Sequence, residues 1–456
     1  MSSKGTGFTK KISHGLNRVL RWFIPGLGVK RWVLVVLAGT TLLGIGLAVL
    51  VLDIYRNAPE TWWLPVLSFL SLRFLDRTLR FIIFGGLGLA MVVYGLIHLN
   101  RALIRPLLKP GQPMVEKIED YRRRERGPKI VALGGGHGLA TLLHGLKTHT
   151  RNLTAIVTVT DEGGSSGELR RSTGILPPGD VRNCLIALSD DEALIGQIFQ
   201  YRFTAGTGLE GHSLGNLFLT AMTDLTGSFE EAVAEAGRVL AVQGKVLPAT
   251  LHDVRLKADI VAPDSTKRMH VKGEISVVET VGKVHHIWLE PDNPKAFPPA
   301  IQAILGADLI VVGPGSLYTS LLPNLLVPEI GQAIQTSKAL KFYVCNVATQ
   351  EGETDGYSGG DHIHAIEQHL SGHIFDLIVC NNRCQGELIE GVEYVTMEPE
   401  IEDEYALYQA PLADDLTPWR HDSGKLAEVI MDLYYERTGP LANGNKPSTG
   451  VANEVS

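Results

Sequence analysis

The chain has 456 residues and a formal net charge of −7, so no global basic field points to nucleic acid as a partner. Its length allows one large domain or two ordinary ones. Four cysteines (Cys184, Cys345, Cys380, Cys384) are too few and too scattered for a disulfide framework, and no second pair completes a zinc site; they read as reduced thiols.

In chain order, residues 1–31 are a basic tail. Trp32 to Leu52 and Phe81 to Asn100 are apolar runs of the length needed to cross a bilayer, about 20 residues. Between them Trp62 to Leu72, broken by Pro65, reads as an interfacial segment. Lysines and arginines crowd the outer flanks of both runs. The pattern predicts a two-span transmembrane hairpin over 32–100, with both termini and the main domain on the cytoplasmic side of the plasma membrane. A basic linker, 101–127, leads into a domain expected over 128–436.

That domain opens as a βα unit. Lys129 to Leu133 has a buried-strand pattern, Gly134-Gly-Gly-His-Gly138 follows, and the leucines of 139–146 recur at helical spacing. Glycines let backbone N–H groups approach phosphate closely, and the helix N-terminus adds a favourable dipole. The dinucleotide fingerprint is not matched strictly, since its last position is Leu139. A second strand, Leu153 to Val159, runs into Asp161-Glu-Gly-Gly-Ser-Ser-Gly167, with Asp161 near the spacing of a ribose-binding acid. Carboxylates, glycines, serines and the following arginines in one loop suit an anionic, sugar-bearing ligand. Asp161 and Glu162 also form a candidate pair for a divalent cation such as Mg2+.

Helices are expected over Val181 to Leu188, over Glu192 to Phe203, and after Ser213, a candidate N-cap. Alternation between Lys245 and Leu289 predicts an antiparallel excursion. Further strands are expected at Asp308 to Val312, Leu340 to Cys345 and Asp376 to Cys380, the first running into Gly313-Pro-Gly-Ser-Leu-Tyr318. His362, His364, His369 and His373 lack the H-E-x-x-H pattern and read as a solvated helix face. Beyond Glu436 the composition predicts a disordered tail, 437–456. Neither a P-loop nor a G-x-S-x-G elbow is visible. The fold class is thus α/β: a Rossmann-like, mostly parallel sheet with an antiparallel excursion, three of whose strand ends bring polar loops to one edge.

Taken together, Gly134 to Gly138, Asp161 to Gly167, Pro177-Pro-Gly-Asp-Val-Arg-Asn183, Gly211-His-Ser-Leu-Gly-Asn216, Gly313 to Tyr318 and Gln350-Glu-Gly-Glu-Thr-Asp355 closely resemble the bacterial gluconeogenesis factor (YvcK-like) family. That family shares its fold with the CofD-like 2-phospho-L-lactate transferases. The resemblance covers roughly 128–436. It departs at His137, where the family usually has threonine, and at Glu162, where it has aspartate.

The resemblance implies a regulator that binds a UDP-sugar such as UDP-N-acetylglucosamine and acts in carbon partitioning, cell-wall precursor supply and cell shape. A protein partner that reads the bound state goes with that role. The alternative is transfer of a phospho-acyl group from a nucleotide diphosphate, with Arg170 or Arg182 neutralising phosphate charge; a nicotinamide (NAD) site is the third reading. No cofactor is demanded. Asp180 carries over from the transferase relatives, where the matching aspartate helps bind a deazaflavin acceptor. Candidate ligand contacts are Gly134, Gly135, Gly136, His137, Gly138, Asp161, Ser165, Ser166, Asp180, Arg182, Asn183, His212, Asn216, Gly313, Gly315 and Ser316.

Overall fold

In a computed structural model of the chain, residues 114–439 are described apart from 191, 263–266 and 371, together with scattered positions between 40 and 94. The chain divides into two compact units, 1–122 and 123–456. The expected two-span hairpin, with its cytoplasmic placement of both ends, is corrected. Among the described residues no helix is long and apolar enough to cross a membrane. A crossing needs about 20 consecutive apolar helical residues. Most of 32–52, 62–72 and 81–100 lies outside the described residues, as do 101–113 and the tail from 440 onward.

The second unit is built on seven parallel strands: β1 (Ile130–Gly134), β2 (Leu153–Val157), β3 (Lys245–Pro248), β7 (Leu309–Val312), β8 (Leu340–Val344), β9 (Leu377–Asn381) and β10 (Leu407–Ala410). Their spatial order is β10-β9-β8-β7-β1-β2-β3. Chain order therefore reverses between β1 and β7, and the doubly wound architecture places its crevice there, outside the carboxyl ends of these strands. β1, β7 and β9 are buried along their whole length, which is why they read as continuous apolar runs rather than alternating ones.

Alternation still sorts their side chains. Ile130 and Ala132 face one core layer, and Val131 and Leu133 the other. The first layer holds α1 (Gly136–Leu146), α3 (Gly179–Leu188) and α8 (Ser423–Thr438). Leu139, Leu142, Leu143 and Leu146 of α1 are fully buried there, each stabilising the fold by roughly 1.5–3 kcal/mol.

A second sheet, ordered β5-β4-β6, is formed by β4 (Arg255–Val261), β5 (Arg268–Lys272) and β6 (Lys283–Glu290), all antiparallel. The antiparallel excursion thus starts one strand later than its alternation suggests. Lys245–Pro248 pairs in parallel with β2, and a short helix, α6 (Glu274–Glu279), interrupts the excursion.

The reading of the histidines as a solvated face is corrected in part: His364 and His373 are exposed, but His362 and His369 are not. On α7 (Gly359–Leu370) His362 is completely buried, its ring hydrogen-bonded to the Ser358 carbonyl. His369 accepts from Ile287 N–H of β6 at 3.1 Å, with its Nδ1 against the Ala365 carbonyl, so it ties the small sheet to the main body. Burial lowers both imidazoles, which suits neutral structural rings.

Candidate functional site

The two loops flanking the switch point touch. A methyl group on Gly138 would lie 2.5 Å from the Pro314 carbonyl oxygen. A methyl on Gly135 would lie 2.5 Å from Asp180 Oδ2. These two glycines are needed for close approach, one of backbone to backbone and one of backbone to carboxylate. Gly138→Ala is expected to cost about 1–3 kcal/mol, because a carbonyl fixed in the neighbouring loop cannot swing aside as a side chain can. A denaturant melt checks this, and an unchanged midpoint would mean that the loops do not pack.

Beyond that contact opens a cleft of about 380 Å3. Gly135, Gly136, His137 and Gly138 line one part of it, with Gly315 and Ser316 beside them, as do Asn346, Gln350, Trp419, Arg420 and His421. Among the first-turn donors of α1, Gly136 N–H is taken by the Asp180 carboxylate. The first helical bond is Leu139 N–H to Gly135 O, so His137 and Gly138 offer N–H groups with no helical acceptor. Desolvation, then the charges of Arg420 and Arg182, lower the His137 imidazole, leaving it neutral at pH 7. Burial pushes His421 down to about 4 against a hydrogen bond to the Cys345 backbone. Asn346 clamps Gly315 from both sides, accepting from its N–H (3.1 Å) and donating to its carbonyl (3.0 Å).

A second polar layer lies behind the glycine loop, at the carboxyl end of β2. Asp180, in the first turn of α3, is pushed up to about 7. Burial is the main cause and the Asp161 charge adds to it, while the Gly136 N–H and Arg182 act the other way. Asp161 Oδ1 accepts from Gly163 N–H at 2.8 Å. Glu162 turns elsewhere, its carboxylate 3.8 Å from Arg255 and its N–H donating to Glu274 of α6 at 3.1 Å. Burial and the Asp161 charge raise Glu274 well above the usual carboxylate range. Asp161 and Glu162, the candidate cation pair, thus engage separate partners. Among the described residues no group of three metal-ligating side chains is assembled.

Arg182 donates to Ser213 Oγ (2.6 Å), Asn216 Oδ1 (2.7 Å) and Asn183 Oδ1 (2.9 Å), all neutral acceptors. Asn216 Nδ2 donates to Ser165 Oγ (3.0 Å) and Ser166 Oγ (3.4 Å). Ser165 and Ser166 lie in the first turn of α2 (Gly164–Thr173). Ser165 Oγ is 3.0 Å from His212 Nδ1, and His212 Nε2 is 3.4 Å from Glu168 Oε2. Ser213 caps α5 (Leu214–Thr226) as its position suggests, accepting from Asn216 N–H. The structure therefore brings Asp161, Ser165, Ser166, Asp180, Arg182, Asn183, His212 and Asn216 into one layer.

Two expected contacts have framework roles. The Gly134 carbonyl accepts from Asn324 Nδ2 and from Thr158 N–H, and Gly313 turns with φ +82° against the Val344 carbonyl. Arg170 is a clamp as well, binding Asp253 and the Val254 carbonyl. In the Gln350 to Asp355 segment, Glu353 is buried and accepts from Tyr318 N–H and Thr319 Oγ1, holding the π-helical turn Leu317–Leu321. Sequence reasoning missed Trp419, Arg420, His421, Glu168 and Glu274. The run Trp419-Arg-His-Asp422, polar and aromatic without core periodicity just before a helix, was the available signal for the first three.

A parallel sheet ordered in this way, with loops gathered at its switch point, defines a Rossmann-like α/β protein. The chain belongs to the 2-phospho-L-lactate transferase CofD family, whose model matches residues 130–412. Within it, the chain is 45% identical over 443 residues to a protein of Nostoc sp. named "Putative gluconeogenesis factor", covering 93% of this chain and 94% of that one. The gluconeogenesis factor of Bacillus subtilis is also 45% identical, over 68% of this chain and 99% of its own length. The crystal structure of a UPF0052-family protein from Bacillus halodurans superposes with a TM-score of 0.62 at 43% identity, covering 67% of this chain and 99% of that one.

Proposed function

We propose that the switch-point cleft binds a nucleotide-linked sugar of the UDP-N-acetylglucosamine kind, and that the bound form regulates carbon partitioning, cell-wall precursor supply and cell shape. The observation that carries this is the pairing of helix N-terminal donors at His137 and Gly138 with the Arg420 guanidinium and the Trp419 ring on the walls of one cleft. N–H donors and a cation suit a diphosphate; an aromatic plate suits a base. The volume of about 380 Å3 lies within the range of small-molecule sites. The names of the relatives support the gluconeogenic context. Regulation would follow population shift, the ligand favouring one arrangement of the loops that a partner protein reads.

UDP-N-acetylglucosamine is expected to stabilise the purified chain by about 2.7 kcal/mol at a hundredfold excess over Kd. Thermal melting with UDP-N-acetylglucosamine and with NAD in parallel checks this; a shift with NAD alone would replace the reading. Mass spectrometry of whatever co-purifies with the chain names the ligand directly.

One observation favours the transferase alternative: the alignment of Ser165, His212 and Glu168 in the second polar layer. Magnesium-dependent consumption of a nucleotide-linked donor is the measurement that separates an enzyme from a sensor.

A further inference from the structure

Hydrogen-bond direction through the second layer follows from a fixed donor at one end and a fixed acceptor at the other. Arg182 has no acceptor atom, so the Asn216 oxygen must face it at 2.7 Å. The Asn216 amide nitrogen is then the end that reaches Ser165 Oγ, 3.0 Å away, and it donates. The Glu168 carboxylate can only accept, so its place 3.4 Å from His212 Nε2 puts the neutral ring's proton on Nε2. Nδ1 is then the acceptor, and the Ser165 hydroxyl, 3.0 Å away, donates to it. Ser165 and His212 are 6% and 4% exposed, so the bond between them is held away from bulk water.

We propose that Ser165 is a nucleophile, activated by His212 and oriented through Glu168, that takes a phosphoryl-type group from a nucleotide-linked donor. The nucleophile is hydrogen-bonded to its base at 3.0 Å, and the orienting carboxylate stands 3.4 Å beyond the far side of the ring. The backbone supplies what a charged intermediate needs. The first bond within α2 is Gly167 N–H to Gly163 O, so the N–H groups of Ser165 and Ser166 have no helical acceptor. They are positioned to hold charge developing on phosphoryl oxygens. Gly167 makes the tight entry to this helix possible, since a methyl group there would lie 1.8 Å from the Glu162 carbonyl.

In the step itself, Ser165 Oγ attacks a phosphorus of the diphosphate and an Oγ–P bond forms. The bridging P–O bond breaks, and the nucleoside monophosphate leaves with the electron pair. The hydroxyl proton passes to His212 Nδ1, and Glu168 steadies the imidazolium. An acceptor hydroxyl then displaces the serine oxygen, its proton replacing the one His212 returns to Ser165. The choice of donor rests on the nucleotide-sugar reading of the cleft; the nucleophile does not.

Diisopropyl fluorophosphate tests the nucleophile alone, because the same attack forms Oγ–P and expels fluoride. Full-length chain is expected to gain one diisopropylphosphoryl group, mapped to Ser165 by peptide mass spectrometry and absent in Ser165→Ala. His212→Gln should slow labelling about 100-fold or more. Glu168→Gln, a change at a largely exposed side chain, should slow it less and leave folding untouched. An unlabelled Ser165 in the folded native chain, or a rate indifferent to both His212→Gln and Glu168→Gln, overturns the proposal. UDP-N-acetylglucosamine separates it from the reading of the cleft. Release of UMP, absent in Ser165→Ala, supports both. A thermal shift with no UMP release removes this donor and keeps the site. Labelling of Ser165 without any thermal shift keeps the nucleophile and removes the nucleotide-sugar reading.

Discussion

Arg420→Ala is expected to weaken UDP-N-acetylglucosamine binding by about 10- to 100-fold while leaving the melting temperature nearly unchanged. The guanidinium is exposed on the cleft wall beside His137, and only the backbone of this residue is tied down, by Arg420 N–H to Thr417 O and Asp414 N–H to Arg420 O. Removing the side chain therefore disturbs little of the fold. A charge-assisted hydrogen bond to phosphate contributes about 1.5–3 kcal/mol, which corresponds to that loss of affinity. Arg420→Lys should recover part of it, since an ammonium keeps the charge without the bidentate fork. Calorimetric titration of the three chains measures the effect. Equal affinities would move the phosphates away from this wall.

Asp180 is expected to make ligand binding pH-dependent. Its carboxyl sits at about 7 in the folded chain, against about 3.9 for a free aspartate. Between those values the folded chain holds a proton that the unfolded chain gives up. Stability due to this group is therefore greatest at low pH, falls as pH rises through the window from about 4 to about 7, and is flat above it. An anion placed near Gly136 favours the protonated form, so binding should take up a proton and be about tenfold tighter at pH 6 than at pH 8. Asp180→Asn keeps an acceptor for the Gly136 N–H and removes the charge; it should abolish the pH dependence and bind at pH 8 as tightly as native chain does at pH 6. Asp180→Ala leaves that N–H without its partner and should weaken binding at every pH. Native and Asp180→Asn chains with the same pH profile would clear Asp180 of this role.

The βα unit at 130–146 was legible in the sequence because its signals are local: an apolar strand, glycines, and leucines at helical spacing. The loops at 161–167 and 211–216 were legible as polar insertions for the same reason. Their meeting was not. Ser165 and His212 are 47 positions apart, and only the packing of α2 against the loop entering α5 joins them. Glu168 looks like any solvent-facing helix residue until His212 is set beside it. The histidines of α7 misled in the opposite direction. Spacing along one helix says nothing about whether a sheet covers it, and β6 does, with Ile287 donating to His369. The apolar runs before residue 100 suggested two spans by composition, and no helix among the described residues has the length to make one.

By itself, then, the sequence determined the class of fold, the order of its elements and the identity of its polar loops, because periodicity and glycine placement act over a few residues. The tertiary structure decided which of those loops share a site. The reversal of strand order between β1 and β7 sets the cleft, and it arises from pairing between segments about 180 residues apart. The same folding half-buried Asp180 and buried Ser165, and loss of solvent together with fixed hydrogen-bond partners gives those groups a chemistry that their residue types alone do not specify.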